Sequence, residues 1–166
     1  MQIRPATLND IPAIMQLITE VVPLMRAAGN LQWDHVYPNP EVFTEDIGLN
    51  QLWVADVDGD IAGVAALTTE QYPEYADAGL DISETAIVTH RLAVSPRHQG
   101  NGIAAALMQE AESEAIRQGI AILRVDTNKQ NLAAQALFPK LGYIYKGEIT
   151  LEFRPGLGFV VFEKLL

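Results

Sequence analysis

Residues 85–126 constrain the fold more than any other stretch. TAIVTHRLAV is a β-leaning apolar run, IAAALMQEAESEAIRQG repeats apolar residues at helical spacing up to Gly119, and IAILRVD is β-leaning again. Two strands joined through a helix of that length lie parallel in one sheet, so the chain is built on a mixed sheet rather than a helical bundle. Between the first strand and the helix lies SPRHQGNG. A loop that leaves a strand and enters a helix presents unpaired amides and the positive end of the helix dipole, which suits a phosphate. Gly100 and Gly102 remove side chains that would block an anion's approach, and Arg97 and His98 stand beside them.

The remaining segments fit around this unit. MQIRPAT reads as a first strand, and Asn9, Asp10 and Pro12 signal a helix whose apolar positions run from Ile11 to Met25, with Pro23 expected to kink it or end it early. NLQWDHVYPNP is a loop and residues 41–48 a short helix. QLWVADVDGDIAGVAAL holds two strands joined at Asp58-Gly59, a hairpin signal. Residues 70–84 carry five acids and no base and read as a mobile surface insertion. A helix from about Asn131 stops near Pro139 to Gly142, and YIYKGEITLEF and FVVFEKLL close the chain as an antiparallel pair. The expectation is one α/β (α+β) domain over residues 1–166, with a sheet of about seven strands flanked by helices.

Composition narrows the function. With no cysteine, disulfides, thiolate metal sites and a cysteine nucleophile are excluded. No metal is expected. A net charge of −10 disfavours nucleic acid. No apolar run approaches the roughly 20 residues of a membrane span, so no membrane partner and a cytoplasmic location are expected. Residues 1–90 have fourteen acids against Arg4 and Arg26, whereas residues 91–166 have nine bases against seven acids, so the half with the glycine loop can receive an anion and the other half a cation.

Three phosphate-binding loops compete for SPRHQGNG. A P-loop needs Lys-Ser/Thr after its last glycine, where this chain has Ile103-Ala104. Gly100, Gly102 and Ala105 fit the dinucleotide pattern, and Asp126 ends the next strand, but SPRHQ separates the strand from the first glycine and only 40 residues follow Asp126. The third is a family. RLAVSPRHQGNGIAAALMQEAE resembles the acyl-coenzyme A segment of the GNAT N-acetyltransferases, whose Q/R-x-x-G-x-G/A is filled by Arg97, Gly100 and Gly102. NLAAQALFPKLGY is similar to their N-x-x-A-x-x-L-Y segment, filled by Asn131, Ala134 and Leu137, with Phe138 in place of the tyrosine and Gly142-Tyr143 ending it. The order of elements agrees along the whole chain.

The resemblance implies an acetyl-CoA-dependent transferase acting on a small-molecule or peptide amine by direct attack, with the fourth and fifth strands parallel and splayed. It implies amides from Gln99, Gly100, Asn101, Gly102, Ile103 and Ala104 on the pyrophosphate, pantetheine on the edge at Leu92, Ala93 and Val94, and the Val94 amide turned by a bulge toward the thioester oxygen. Phe138 carries no proton. Tyr143, Tyr145 or water then serves the leaving thiolate, or catalysis is lost and the chain is an acyl-CoA-binding protein only. His90, taken to share a face with Leu92, is the candidate base on grounds of its near-neutral pKa; His35 and His98 are weaker, and Arg91 is expected to pair with an acid. Trp33, Tyr37, Tyr72 and Tyr75 fall in segments that cover the acceptor cleft in the family, with Asp34, Glu70 and Glu74 to attract a protonated amine. FVVFEKLL is a candidate edge for a homodimer.

Overall fold

The computed structural model describes residues 1–166. Strand β1 (Gln2–Pro5) leads through a 3-10 turn into α1 (Ile11–Ala27), α2 (Pro40–Gly48), and the hairpin β2 (Leu52–Val57) and β3 (Asp60–Thr68). The central unit is β4 (Ile87–Val94), α3 (Ile103–Gln118) and β5 (Ile122–Asn128), followed by α4 (Leu132–Lys140), β6 (Ile144–Thr150) and β7 (Gly158–Leu165). The strands form one sheet in the order β1-β2-β3-β4-β5-β7-β6, in which only β4 and β5 are parallel neighbours. No helix is long and apolar enough to cross a membrane.

Local chemistry sets the boundaries. Asn39 caps α2, its Oδ1 accepting from the Val42 amide at 2.9 Å, with Pro40 at the first helical position. Gly119 ends α3 with φ of 69°. Asp58 and Gly59 both take positive φ, as the expected two-residue hairpin turn requires. One face of the sheet is covered by α1 and α2, where Ile14, Leu17, Ile18 and Phe43 pack on Val54, Val64 and Ala66. The other is covered by α3 and α4, where Leu107, Met108 and Phe138 pack on Leu123, Val125 and Phe162.

Three expectations are corrected here. Helix α1 does not end at Pro23 but continues to Ala27. The ring forfeits one hydrogen bond at a cost of about 3 kcal/mol, but Ile14, Leu17, Ile18 and Val22 are buried on the sheet, each contributing about 1.5–3 kcal/mol. FVVFEKLL is no edge: β7 is enclosed between β5 and β6. Residues 70–84 are a strap tied down over the sheet rather than a mobile insertion. Tyr75 is wholly buried and Leu80 nearly so. The strap is pinned by Arg124 of β5, a fully buried guanidinium that bonds Gln71 (2.5 Å), the Asp81 carbonyl (3.0 Å) and Glu84 (3.0 Å) of the strap as well as Glu163 of β7 (2.9 Å).

Two irregularities open the sheet. Parallel pairing of β4 and β5 covers only Ile87 to Thr89 opposite Leu123 to Val125, after which the strands part. In β4 a bulge inserts a residue: His90 opposes Ala66 and Ala93 opposes Val64, so Arg91 and Leu92 have no partner on β3. Arg91 takes φ of 52° there.

Close packing beneath the opening leaves little room for a side chain at one glycine. A Cβ on Gly63 of β3 would lie 2.6 Å from Ile103 Cγ2 and 3.1 Å from Leu107 Cδ1. Gly63→Val is expected to cost about 1–3 kcal/mol, lowering the midpoint by roughly 2–4 °C per kcal/mol in a chain of this size. It should also push Ile103, the first residue of α3, and weaken CoA binding. Thermal denaturation with and without CoA checks both effects.

Candidate active site

Past Thr89 the parted strands border a cleft of about 580 Å³, within the range of small-molecule sites. The free edge of β4, the loop 99–105 and α4 all line it, as do Gln32, Trp33, Tyr37, Tyr72 and Phe153. The amides from Gln99 through Ala105 have no acceptor within the protein. Gly100 and Gly102 take φ of 81° and 74°, and a Cβ on either would meet nothing, so the loop is open where an anion would approach. The buried Thr89 hydroxyl, at the point where the strands part, has no hydrogen-bond partner and borders the same cleft. These are donors waiting for a long ligand that is anionic at one end and amide-like along its length, a description that acyl-coenzyme A fits.

The Acetyltransferase (GNAT) family model matches residues 18–143. The chain belongs to the GNAT acetyltransferase family. The uncharacterized N-acetyltransferase YesJ of Bacillus subtilis is 27% identical over 165 residues, covering 96% of this chain and 87% of that protein. A GNAT acetyltransferase from Streptococcus agalactiae is 28% identical, with a TM-score of 0.79 over 99% of this chain and 95% of that one. The same fold, at 20% identity and a TM-score of 0.72 over 100% of this chain and 94% of the other, occurs in yncA of Salmonella typhimurium, solved with its cofactor acetyl-CoA.

In this acetyltransferase Leu92, Ala93, Val94, Gln99, Gly100, Gly102, Ile103 and Ala104 all border the cleft, as do Asn131, Phe138, Trp33, Tyr37 and Tyr72. Asn131 Oδ1 caps α4 by accepting from Ala134 N at 3.1 Å. Phe138 is buried, edge-on to Phe162. Asn101 lies outside the lining. Arg97 does too: its guanidinium is held by Glu20 and Asp60 at 3.3 and 2.7 Å, and His98 also bonds Asp60, at 2.7 Å. Arg97 is thus turned away from the cleft, whereas His98 lines it with its ring tied to Asp60, so backbone amides make up most of the cradle.

The catalytic expectations change more. Ser95 N donates to the Ala62 carbonyl at 2.8 Å, which turns the Val94 amide away from β3 to the side where β5 has parted, and the bulge leaves Arg91 and Leu92 without a partner on β3. His90 does not share a face with Leu92. The extra residue reverses the alternation, and His90 aligns with Ala66 in the α1 layer while Leu92 packs on the α3 layer. Its ring is 8% exposed, and Nε2 donates to the Glu70 carbonyl at 2.9 Å. Burial holds its pKa down at about 4, against the raising effect of that bond, which makes it a poor proton acceptor near neutrality. Tyr143 is buried between Phe138 and the core, outside the cleft, and burial raises its phenol. Tyr145 is exposed on β6 and packs on Phe162. Glu70, Asp34 and Glu74 do not line the cleft. Asp34 instead accepts the Val36 and Tyr37 amides at 2.8 and 2.9 Å, and Glu74 reaches the Glu152 amide. Arg91 does pair with an acid, forking onto Asp46 at 2.7 and 2.8 Å.

Asp126 is the group that sequence reasoning passed over. It lies on β5 one residue beyond the last pairing with β4, and it lines the cleft. Burial pushes its carboxyl up to about 6, while the hydrogen bond from Tyr75 pulls the other way. Tyr75 donates its phenol to Oδ2 at 2.5 Å, and Oδ1 has no partner. The signal was there, an acid ending the strand that splays, but its phenolic partner is 51 residues away.

Proposed function

We propose that this GNAT protein transfers an acetyl group from acetyl-CoA to a primary amine by direct attack in a ternary complex, with Asp126 as the proton acceptor. The observation that carries this reading is the juxtaposition of an open amide cradle with a half-buried carboxyl of raised pKa at the point where β4 and β5 part.

Bound acetyl-CoA supplies the acyl group as a thioester. The amides of Gln99 to Ala105 hold its diphosphate, and the free edge of β4 from Leu92 to Val94 takes the peptide-like arm. The Leu92 amide, outside the β3 ladder, donates to the acyl oxygen as negative charge grows on it. Asp126 Oδ1 accepts the amine's proton as the carbon–nitrogen bond forms, because nitrogen becomes acidic only then, and a carboxylate of pKa about 6 suffices. Tyr75 keeps Oδ2 occupied and so fixes the direction in which Oδ1 points. As the carbon–sulfur bond breaks, the same proton passes downhill to the thiolate, whose thiol has a pKa of about 8.5. No tyrosine at position 138 is then needed.

A steady-state assay of thiol release across a panel of amines tests the reading. Amine-dependent release is expected. Tight acetyl-CoA binding without it would overturn the reading in favour of a non-catalytic acyl-CoA-binding protein.

A further inference from the structure

Charge is distributed around the cleft in the opposite sense to the sequence expectation. The acids of residues 1–90 that were to draw in an ammonium group are turned away, and the one carboxylate lining the cleft is Asp126. What stands against the acceptor rim, though not itself in the lining, is an arginine. Arg154, in the turn between β6 and β7, sends Nε to the Gln32 carbonyl at 2.8 Å. Its guanidinium carbon lies 5.2 Å from the centre of the Tyr37 ring and 5.8 Å from that of Phe153. Gln32, Tyr37 and Phe153 all line the cleft.

Arg154 is also free of carboxylates in a chain with 21 acids against 11 bases. Every other arginine except Arg26 stands in an ion pair. Arg26 is exposed and gives a terminal nitrogen to the Trp33 carbonyl. Arg154 is half-buried, and neither of its terminal nitrogens has an acceptor in the protein. Asp34, the carboxylate that feels its charge, spends its Oδ1 on two amides and makes no ion pair with it. Three contacts therefore hold a planar cation against the residues of the rim, with its forked end unused. That fork matches a carboxylate by two parallel hydrogen bonds.

We infer that the acceptor is an amine that also carries a carboxylate, of the amino-acid class, and that Arg154 binds this carboxylate. The assignment rests on the transferase reading above and names the substrate for it. The carboxylate docks on Arg154, the amine extends inward toward Asp126, and the aromatic rim of Trp33, Tyr37, Tyr72 and Phe153 takes the side chain. Two charges of opposite sign at the two ends of one cleft also fix the direction in which such a zwitterion enters, and its ammonium gives its extra proton to solvent before the neutral amine attacks.

The test compares three matched series, free L-amino acids, their carboxamides and the corresponding decarboxylated amines, with wild type, Arg154→Gln and Arg154→Lys. Wild type is expected to favour at least one acid over its matched amide and amine by tenfold or more in kcat/KM. Arg154→Gln should erase that preference by raising KM for the acid, leaving kcat on the decarboxylated amine within about twofold, and Arg154→Lys should restore part of it. Equal use of acid, amide and amine by wild type, or a preference that survives Arg154→Gln, overturns the assignment. Calorimetric titration of the same compounds into the CoA-saturated protein separates the two readings. Carboxylate-dependent binding that needs Arg154, without thiol release, sinks the transferase reading and keeps the subsite. Binding of no acid in the series sinks the subsite, while thiol release from the amines alone keeps the transferase.

Discussion

Asp126→Asn is expected to lower kcat/KM for the amine by about 100-fold or more, the scale of a lost general base, with the Kd for acetyl-CoA unchanged. The asparagine keeps the shape and still accepts from Tyr75 through its carbonyl oxygen, so only the ability to take a proton is removed. For wild type, kcat/KM should rise with pH through about 6 as Asp126 ionises, and the variant should lack that limb. Stability separates this from damage. The folded pKa of Asp126 lies above the ordinary carboxylate value, so the group's favourable contribution is full below about 4 and is lost as pH rises through about 6. At pH 8 the ionised carboxylate is a burden on the fold, and the variant should melt no lower than wild type. A loss of midpoint at pH 8 together with the loss of rate would contradict the assignment.

The second large effect is on the fold. Arg124→Met is expected to destabilise by about 3–5 kcal/mol, the cost of breaking a buried ion pair by removing one partner, or a drop of roughly 10 °C in a chain of this size. Glu163, 10% exposed at its side chain, would be left buried with only Lys146 at 3.7 Å. Gln71, Glu84 and the Asp81 carbonyl would lose their common anchor, so amide exchange should accelerate across residues 70–84 before the rest of the sheet opens. Since Tyr75 belongs to that strap, its bond to Asp126 should weaken, and the pH limb near 6 should shift with it. A variant that melts like wild type, with exchange in the strap unchanged, would show that the buried guanidinium does not hold the strap.

Much of the architecture was legible because it is written in local periodicities. The β4–α3–β5 unit, the Asp58-Gly59 hairpin and the caps follow from residues within one or two turns of each other. So did the open amides of the glycine loop, since a strand that ends before a helix begins leaves them unpaired whatever surrounds them. A bulge was expected in β4 without a place being set for it, and its position at Arg91 and Leu92 sends His90 to the opposite face from Leu92. Pro23 was misread because propensity speaks for the isolated helix, while α1 is held by the face it buries.

The sequence by itself determined the order of strands and helices, the parallel pair, the glycine loop with its open amides and hence the family, because each is a short-range property of the chain. The tertiary structure alone decided which charges work. Asp126 meets Tyr75 across 51 residues, Arg124 meets Glu84 across 40, and Arg154 reaches Gln32 across 122. A charge is a catalyst, a strut or a docking point according to the partner and the solvent it is left with, and those are fixed only when distant segments fold onto the same few ångströms.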